Sequence, residues 1–362
     1  MQPIISYNDN FSKVNFSILV PSYNRPNFLY KTIKSILEIN YSSFELIISD
    51  DNSPSFNEIL EVIKSFNILI PFKLYHQSQN IGPTENKNFL VQESKGEYII
   101  LLGDDDLINP KLLTYLEFEI KKNETVEIFG FGYDIIDEFG NTINTLKSFK
   151  NLFFRNNNNF ENLIFFEGNI IPFYFFHPFT VCFKKTINIK YKKEAHIGYD
   201  YLFLYESILN NFCIKVLPIV GFSWRKAQTL GEYQNLSNNK QSDLISRIGI
   251  YKYFFLNKKF ISKMNFKLKE DHICKFIGDT LLINKNNIII NLEFLKNEID
   301  NIGYKQLLYY TSNYFTKYKI VFNKFYYCIR MQETYCLHYF ILRLNNIRRK
   351  KYYSSLAKYN GI

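Results

Sequence analysis

The most constraining feature of the chain lies in its first hundred residues. Short apolar runs are each halted by a polar cluster and joined to the next by a stretch with helical spacing. Phe16 to Val20 (FSILV) stops at Pro21, Asn24-Arg25-Pro26 turns the chain, and Leu29, Ile33, Ile36 and Leu37 recur at helical intervals. Leu46-Ile47-Ile48 then ends in Ser49-Asp50-Asp51-Asn52-Ser53. A helix over 56–66 leads to a strand at Phe72 to Tyr75. After the turn Asn80-Ile81-Gly82-Pro83, a helix over 84–94 feeds a strand at Tyr98 to Leu102. Strands separated by helices of this length predict parallel βαβ units, with the chemistry in the crevice beyond the carboxyl ends of the strands.

The polar clusters all fall at those ends. Pro21-Ser22-Tyr23-Asn24-Arg25, Asp50-Asp51, Asn80 with Gly82, and Asp104-Asp105-Asp106 therefore converge on one side of one sheet. Asn80-Gly82 also reads as a plain turn, but three adjacent carboxylates after an apolar strand do not. Their mutual repulsion in a partly buried crevice calls for a compensating cation. Mg²⁺ or Mn²⁺ suits such hard oxygen ligands, keeps several waters, and can bridge the oxygens of a nucleoside diphosphate. Adjacent side chains diverge, so the three are not all expected to touch one ion. Neither GxGxxG nor GxxxxGK[ST] occurs, which excludes the dinucleotide fingerprint and the P-loop.

Beyond residue 110 the pattern loosens. Helices are expected at Leu112 to Ile120 and Tyr201 to Ile208. Strands are expected at Glu127 to Tyr133, at Val181-Cys182-Phe183 and over 216–222, with a polar loop at Asn156 to Asn159. From about residue 238 helices are expected, including 244–255, 272–283 and 292–297, before a basic end at 348–351. The formal charge of +10 sits in that last third: residues 236–362 hold 22 Lys+Arg against 8 Asp+Glu, among many of the 36 Phe and 28 Tyr. Basic residues interleaved with aromatics suit an anionic membrane surface, with a solvated basic face as the plainer alternative. Nucleic acid is not expected as a partner. The division is thus a catalytic domain over 1–237 and a helical, basic, aromatic-rich region over 238–362.

The five cysteines show no CxxC or metal-finger spacing, and no signal-peptide pattern stands at the N-terminus. The longest apolar stretch, 170–183, is broken by Pro172, His177 and Pro178 and is too short to span a bilayer. A cytoplasmic setting is expected, with peripheral attachment to the inner face of the cytoplasmic membrane. His177 and His196 lack partners at ligand spacing and are read as surface, pocket or core residues.

Four segments in order resemble the family 2 glycosyltransferases: FSILVPSYNRPNFLYKTIKSIL, FELIISDDNS, QNIGPTENKN and KGEYIILLGDDDLINP, with a weaker match through GYDYLFLYESI to about residue 235. The resemblance implies a GT-A fold, with a mixed, mainly parallel sheet flanked by helices. It also implies transfer of a sugar, usually with inversion, from a nucleotide diphosphate donor to a surface-glycan or lipid-linked acceptor, a UDP-sugar being the default donor. By the same resemblance Pro21, Tyr23 and Arg25 belong to the nucleotide pocket and Asp51 accepts from the base. Asp104 sits by the ribose, Asp105 is the main metal ligand, and Asp106 is a second metal contact. Lys87 stands where relatives carry arginine and neutralises phosphate as a point charge. Gly103 stands where many members have aspartate.

Inversion needs a base beside the attacking hydroxyl. Asp200 matches the family's acceptor-side acidic position; it also reads as the N-cap of the helix after it, and Glu206 is the runner-up. Arg225 suits a diphosphate or an anionic acceptor, or is a strand-end surface charge. Trp224 stacks on a sugar ring or packs in the core. Two other classes remain: a metal-dependent nucleotidyltransferase or phosphoryl transferase, and a basic membrane-surface or nucleic-acid-binding module with a degenerate acidic site.

Overall fold

The computed structural model describes residues 1–8, 14–143, 164–165, 179–193, 198–210 and 212–226. The loop expected at Asn156 to Asn159, His177, His196, and the helices and basic end expected beyond residue 238 lie outside the described residues.

Among the described residues ten strands form one sheet. They are β1 (Ile5–Tyr7), β2 (Phe16–Ser22), β3 (Phe44–Asp50), β4 (Phe72–His76), β5 (Tyr98–Leu101), β6 (Leu107–Ile108), β7 (Ile128–Ile136), β8 (Ile164–Phe165), β9 (Val181–Lys184) and β10 (Ile214–Arg225). The helices are α1 (Pro26–Leu37), α2 (Phe56–Lys64), α3 (Gly82–Glu93), α4 (Leu112–Lys122) and α5 (Tyr199–Leu209). The strand order is β1-β4-β3-β2-β5-β9-β7-β10-β6, with β8 also on β10.

The block β4-β3-β2-β5 is parallel throughout, as its crossover helices require. Beyond it β9 runs antiparallel to both β5 and β7, β10 is parallel to β7, and β6 and β8 pair antiparallel with β10. At the other edge β1 is antiparallel to β4. The sheet is therefore mixed. The expected parallel character holds for the βαβ block; beyond it the insertion of β9 between β5 and β7, antiparallel to both, and the antiparallel pairings of β1, β6 and β8 make the sheet mixed.

The period-two alternation of the strands divides the core. Phe16, Ile18 and Val20 of β2, with Phe44, Leu46 and Ile48 of β3, pack with Leu29, Ile33 and Ile36 of α1, Ile59 and Ile63 of α2, and Leu113 and Leu116 of α4. Leu19, Ile47 and Ile99 face the opposite way and pack with Leu90 of α3 and Phe203 and Leu204 of α5. Each such fully buried Leu or Ile contributes about 2 kcal/mol. Helices on both faces leave the strand ends as the open surface. The chain steps outward from β2 to β3 and β4, then returns to the other side of β2 as β5, so the order of strands reverses at the β2/β5 pair. Ligand crevices form at such reversals.

Some boundaries differ from expectation. The helix carrying Asp200 starts at Tyr199, which puts Asp200 inside the first turn. β10 continues to Arg225, so Trp224 and Arg225 belong to the strand that they were expected to follow. β1, β6 and β8 have too few residues to show a periodicity.

Candidate active site

Asp104 lies just past the end of β5 and is 5% exposed. Its Oδ2 accepts from Ser22 Oγ at 3.0 Å and from the Tyr23 backbone N–H at 3.1 Å, joining the β5 end to the β2 end across the reversal. Its Oδ1 accepts from Arg25 Nη1 at 3.1 Å, and the same nitrogen is 3.1 Å from Asp105 Oδ2. The cation that the triplet calls for is supplied in part by Arg25, a residue expected in the nucleotide pocket. Asp106, 5% exposed, uses Oδ1 to accept from the Arg225 backbone N–H at 2.9 Å. Thr32 Oγ1 donates to the carbonyls of Asp104 (3.0 Å) and Asp106 (2.8 Å), clamping the triplet loop onto α1.

Burial sets the protonation of this loop. It pushes the Asp104 carboxyl up, opposed by Arg25 and by the donors Tyr23 and Ser22. Burial, reinforced by the charge of Asp104, raises Asp105 to about 6. Burial and the charge of Asp105 raise Asp106 well above the carboxylate range. Burial works against the Arg25 guanidinium, but Asp104 and Asp105 outweigh it and hold the group above its ordinary value.

Gly103 sits where these carboxylates close in. A Cβ there would lie 2.8 Å from Asp106 Oδ2 and 2.9 Å from Asp105 Oδ1, both closer than a carbon can approach. These are the two carboxylate oxygens engaged neither by Arg25 nor by the Arg225 N–H. The departure from the family pattern thus has a local cause: the space a side chain would occupy at 103 belongs to Asp105 and Asp106. Gly103→Ala should therefore destabilise the fold by about 1–3 kcal/mol, read by denaturant unfolding.

Asp51 is 4% exposed and accepts from the backbone N–H groups of Ile81 (2.7 Å) and Gly82 (2.9 Å). Gly82, at φ +82°, takes a left-handed conformation that suits glycine, and it opens α3. The carboxylate caps α3 at its positive end and fixes the β4–α3 loop beside β3. Burial raises the Asp51 carboxyl in spite of these donors. Next to it the buried Asp50 holds the Ser53 N–H at 3.0 Å and lies 2.7 Å from His76 Nδ1. Ser53 Oγ in turn accepts from the Asn24 N–H at 2.7 Å, and Asn24 and Asn52 adopt left-handed conformations that asparagine tolerates. The loops after β2, β3 and β4 are thereby bound into one rim. Tyr23 stays 43% exposed on it, and Pro21 is half-buried in β2.

Lys87 and Asp200 meet: Nζ is 2.9 Å from Oδ1. Burial pushes the Tyr199 phenol up, while Lys87 and, more weakly, Arg25 pull it down. Glu206, the runner-up base, is buried and paired with Lys192.

Arg225 is not a surface charge. It is fully buried; its Nε donates to the Asp105 carbonyl at 2.8 Å and its Nη1 to the carbonyls of Asp137 (2.9 Å) and Glu138 (3.1 Å). Trp224 packs edge-on to Tyr133 at 6.2 Å and near Phe179 at 6.4 Å, in agreement with the core reading. Thr32, Ser53, His76 and the internal role of Arg225 carry no sequence signal, because each depends on which loops the sheet brings together. Among the described residues no three His, Cys, Asp or Glu side chains group so as to hold a metal ion. Among them also, no helix is long and apolar enough to cross a membrane.

The geometry has relatives. Residues 17–188 match the family described as Glycosyl transferase family 2. The poly(ribitol-phosphate) beta-N-acetylglucosaminyltransferase TarP of Staphylococcus aureus (strain N315) is 31% identical over 216 residues, covering 55% of this chain and 59% of that protein. The GalNAc(5)-diNAcBac-PP-undecaprenol beta-1,3-glucosyltransferase of Campylobacter jejuni is 34% identical over 127 residues, 34% of this chain and 40% of that one. The chain spans only 19–59% of the length of the curated relatives it matches most strongly. The crystal structure of S. aureus TarS 1–349 in complex with UDP-GlcNAc superposes with a TM-score of 0.54 at 15% identity, covering 76% of this chain and 75% of that one, which is a likeness of fold. The match over 17–188 takes in the clamped aspartate triplet, the β2–α1 rim and the capped α3, and on that ground this part of the chain is a glycosyl transferase family 2 domain.

Proposed function

We propose that this protein is an inverting glycosyltransferase that moves a sugar from a nucleotide diphosphate, a UDP-sugar by first choice, to a hydroxyl of a glycan or lipid-linked acceptor. The observation that carries the reading is the junction at the sheet reversal, where Asp104 and Asp105 of the β5 end share Arg25 with the β2 end beside exposed Tyr23. Tyr23 and Pro21 offer the nucleobase an aromatic and apolar wall, with Asp51 at its side. Asp104, which already fixes the Tyr23 backbone, lies nearest the ribose. Arg25 is the cation closest to the triplet and attracts the diphosphate.

A divalent cation fits the donor chemistry that remains. Asp105 Oδ1 and Asp106 Oδ2 are hard oxygens that approach one point above Gly103, and two carboxylates suffice for Mg²⁺ or Mn²⁺ when water and phosphate complete the shell. Asp105 and Asp106 would hold the ion, which supplies charge neutralisation of the leaving diphosphate. Asp200 would take the acceptor's proton. The catalytic unit is proposed to span 1–237; the membrane role of the basic region over 238–362 lies outside the described residues and rests on its charge and its interleaved aromatics. A glycan or lipid-linked acceptor is supported by the relatives named above, one acting on poly(ribitol-phosphate) and one on a PP-undecaprenol-linked sugar; the setting proposed with it is surface-glycan assembly at the inner face of the cytoplasmic membrane.

The test is a panel of UDP-, dTDP-, GDP- and CDP-sugars with Mg²⁺ and Mn²⁺, reading released nucleotide and thermal shift together. Release of nucleoside diphosphate with sugar transfer is expected. Pyrophosphate release or nucleotide transfer would replace the reading with a nucleotidyltransferase. Lipid or polynucleotide binding without donor turnover would make the chain a binding module.

Protonation adds a signature. Below about pH 6 Asp105 carries a proton that a cation must displace, so Mn²⁺ affinity should fall at least about tenfold from pH 7 to pH 5. The sign for stability is opposite. A carboxyl raised by folding stabilises the fold fully below its unfolded value near 4, and that contribution is lost as pH rises through about 6. Metal-free protein should thus lose stability from this loop between pH 4 and 7, and Mn²⁺ should restore it in a melting scan.

A further inference from the structure

Lys87 and Asp200 come from different halves of the sheet. Lys87 lies in α3, between the strands of the parallel block; Asp200 lies in the first turn of α5, after β9. Their ion pair, 2.9 Å long, is secluded: the side chains are 11% and 16% exposed. Lys87 Nζ stands 4.2 Å from the ring centre of Tyr199 and 5.3 Å from that of Tyr191. Tyr191 is stitched to α3 in both directions, its N–H donating to Asn88 Oδ1 and its carbonyl accepting from Asn88 Nδ2, each at 2.9 Å. The ammonium is therefore enclosed by one carboxylate and two aromatic faces, a set of partners that satisfies a desolvated cation.

We infer that Lys87 is a positioning residue for Asp200, holding one carboxylate oxygen so that the other is presented to the acceptor hydroxyl, and is not a ligand of the donor diphosphate. The inference rests on the functional reading above and changes the part that the resemblance gives Lys87. Withdrawing Lys87 toward a phosphate would abandon Asp200 as an unpaired, secluded charge, an arrangement folds avoid. Arg25, 21% exposed, is already at the aspartate triplet and is the better placed cation for phosphate. Burial acts against the charge on Lys87, but Asp200 and Tyr199 outweigh it and hold the ammonium above its ordinary range, so it stays charged through the reaction.

The step balances without Lys87 giving up a proton. As the acceptor oxygen bonds to the anomeric carbon, its proton passes to Asp200 Oδ2. The bond from that carbon to the diphosphate oxygen breaks with its electron pair leaving on the diphosphate. Lys87 keeps Oδ1 throughout.

The experiment compares wild type, Lys87→Met, Asp200→Asn and the double variant. UDP with Mn²⁺ is the donor-site probe, and turnover is measured on whichever nucleotide sugar in the panel is consumed. Lys87→Met should lower kcat about 10²-fold with the UDP Kd within about threefold of wild type. The double variant should be no slower than Asp200→Asn alone, since positioning a carboxylate that is gone has no further effect. Lys87→Arg, which keeps the charge, should recover part of the loss. A UDP Kd raised tenfold or more by Lys87→Met with kcat intact, or a double variant slower than Asp200→Asn by the full factor of the lysine change, would overturn the inference and leave the glycosyltransferase reading standing. Should Lys87→Met alone fail to fold, Asp200→Asn against the double variant, which has no unpaired carboxylate, decides by the same two readouts. Wild type that releases no nucleotide from any sugar in the panel would overturn the functional reading itself, a result distinct from either.

Discussion

Asp105→Ala should lower turnover by at least about 10³-fold and remove the Mn²⁺-dependent part of UDP binding, because a cation at the diphosphate supplies several kcal/mol to the departing charge. The physical case is the division of labour inside the triplet. Asp104 spends both oxygens on Ser22, Tyr23 and Arg25. Asp106 spends one on the Arg225 backbone. Asp105 gives Oδ2 to Arg25 and keeps Oδ1 beside the point where Asp106 Oδ2 also arrives. Asp104→Ala should look different: the rim at Tyr23 loosens and UDP binding weakens with or without Mn²⁺. Isothermal titration of UDP with Mn²⁺ and with EDTA separates the two. Retention of the Mn²⁺ increment by Asp105→Ala would move the cation elsewhere.

Asp200→Asn should depress turnover by about 10²–10⁴-fold while leaving the UDP Kd in Mn²⁺ unchanged. The amide keeps the shape of the side chain and still offers an oxygen to Lys87, so the loss reports the missing proton acceptor. Melting temperature should move little compared with Lys87→Met, in which a charge is left without its partner. Full transfer by Asp200→Asn would remove Asp200 as the base, and Glu206, tied to Lys192, would be a poor successor. The readout is initial rate at saturating donor, alongside the UDP titration.

How far these sites were legible depended on distance along the chain. The three βαβ units revealed the parallel block, because each strand reports its burial within four to seven residues and each helix within a dozen. The triplet announced itself as a concentration of charge. Its clamp did not: Thr32 reaches Asp104 and Asp106 across more than seventy positions, and Arg225 reaches Asp106 across 119. Arg225 read as a terminal charge because β10 was expected to stop at 222; four further pairings at Ser223 to Arg225, three to β7 and one to β6, carry the strand on and bury its end. Lys87 read as a phosphate ligand from its place in a motif, and nothing local connects it with Asp200, 113 positions away.

The sequence by itself determined the run of strands and helices within the first hundred residues, the end of the sheet on which the polar clusters lie, and the carboxylates gathered there, since these follow from periodicity and from charge concentrated in a few adjacent residues. Only the tertiary structure decided who neutralises whom. Arg25 goes to Asp104 and Asp105, Lys87 to Asp200, and Arg225 to backbone carbonyls, because pairing of buried charges is fixed by which loops the reversal at β2 and β5 brings within about 3 Å, a distance no local pattern encodes.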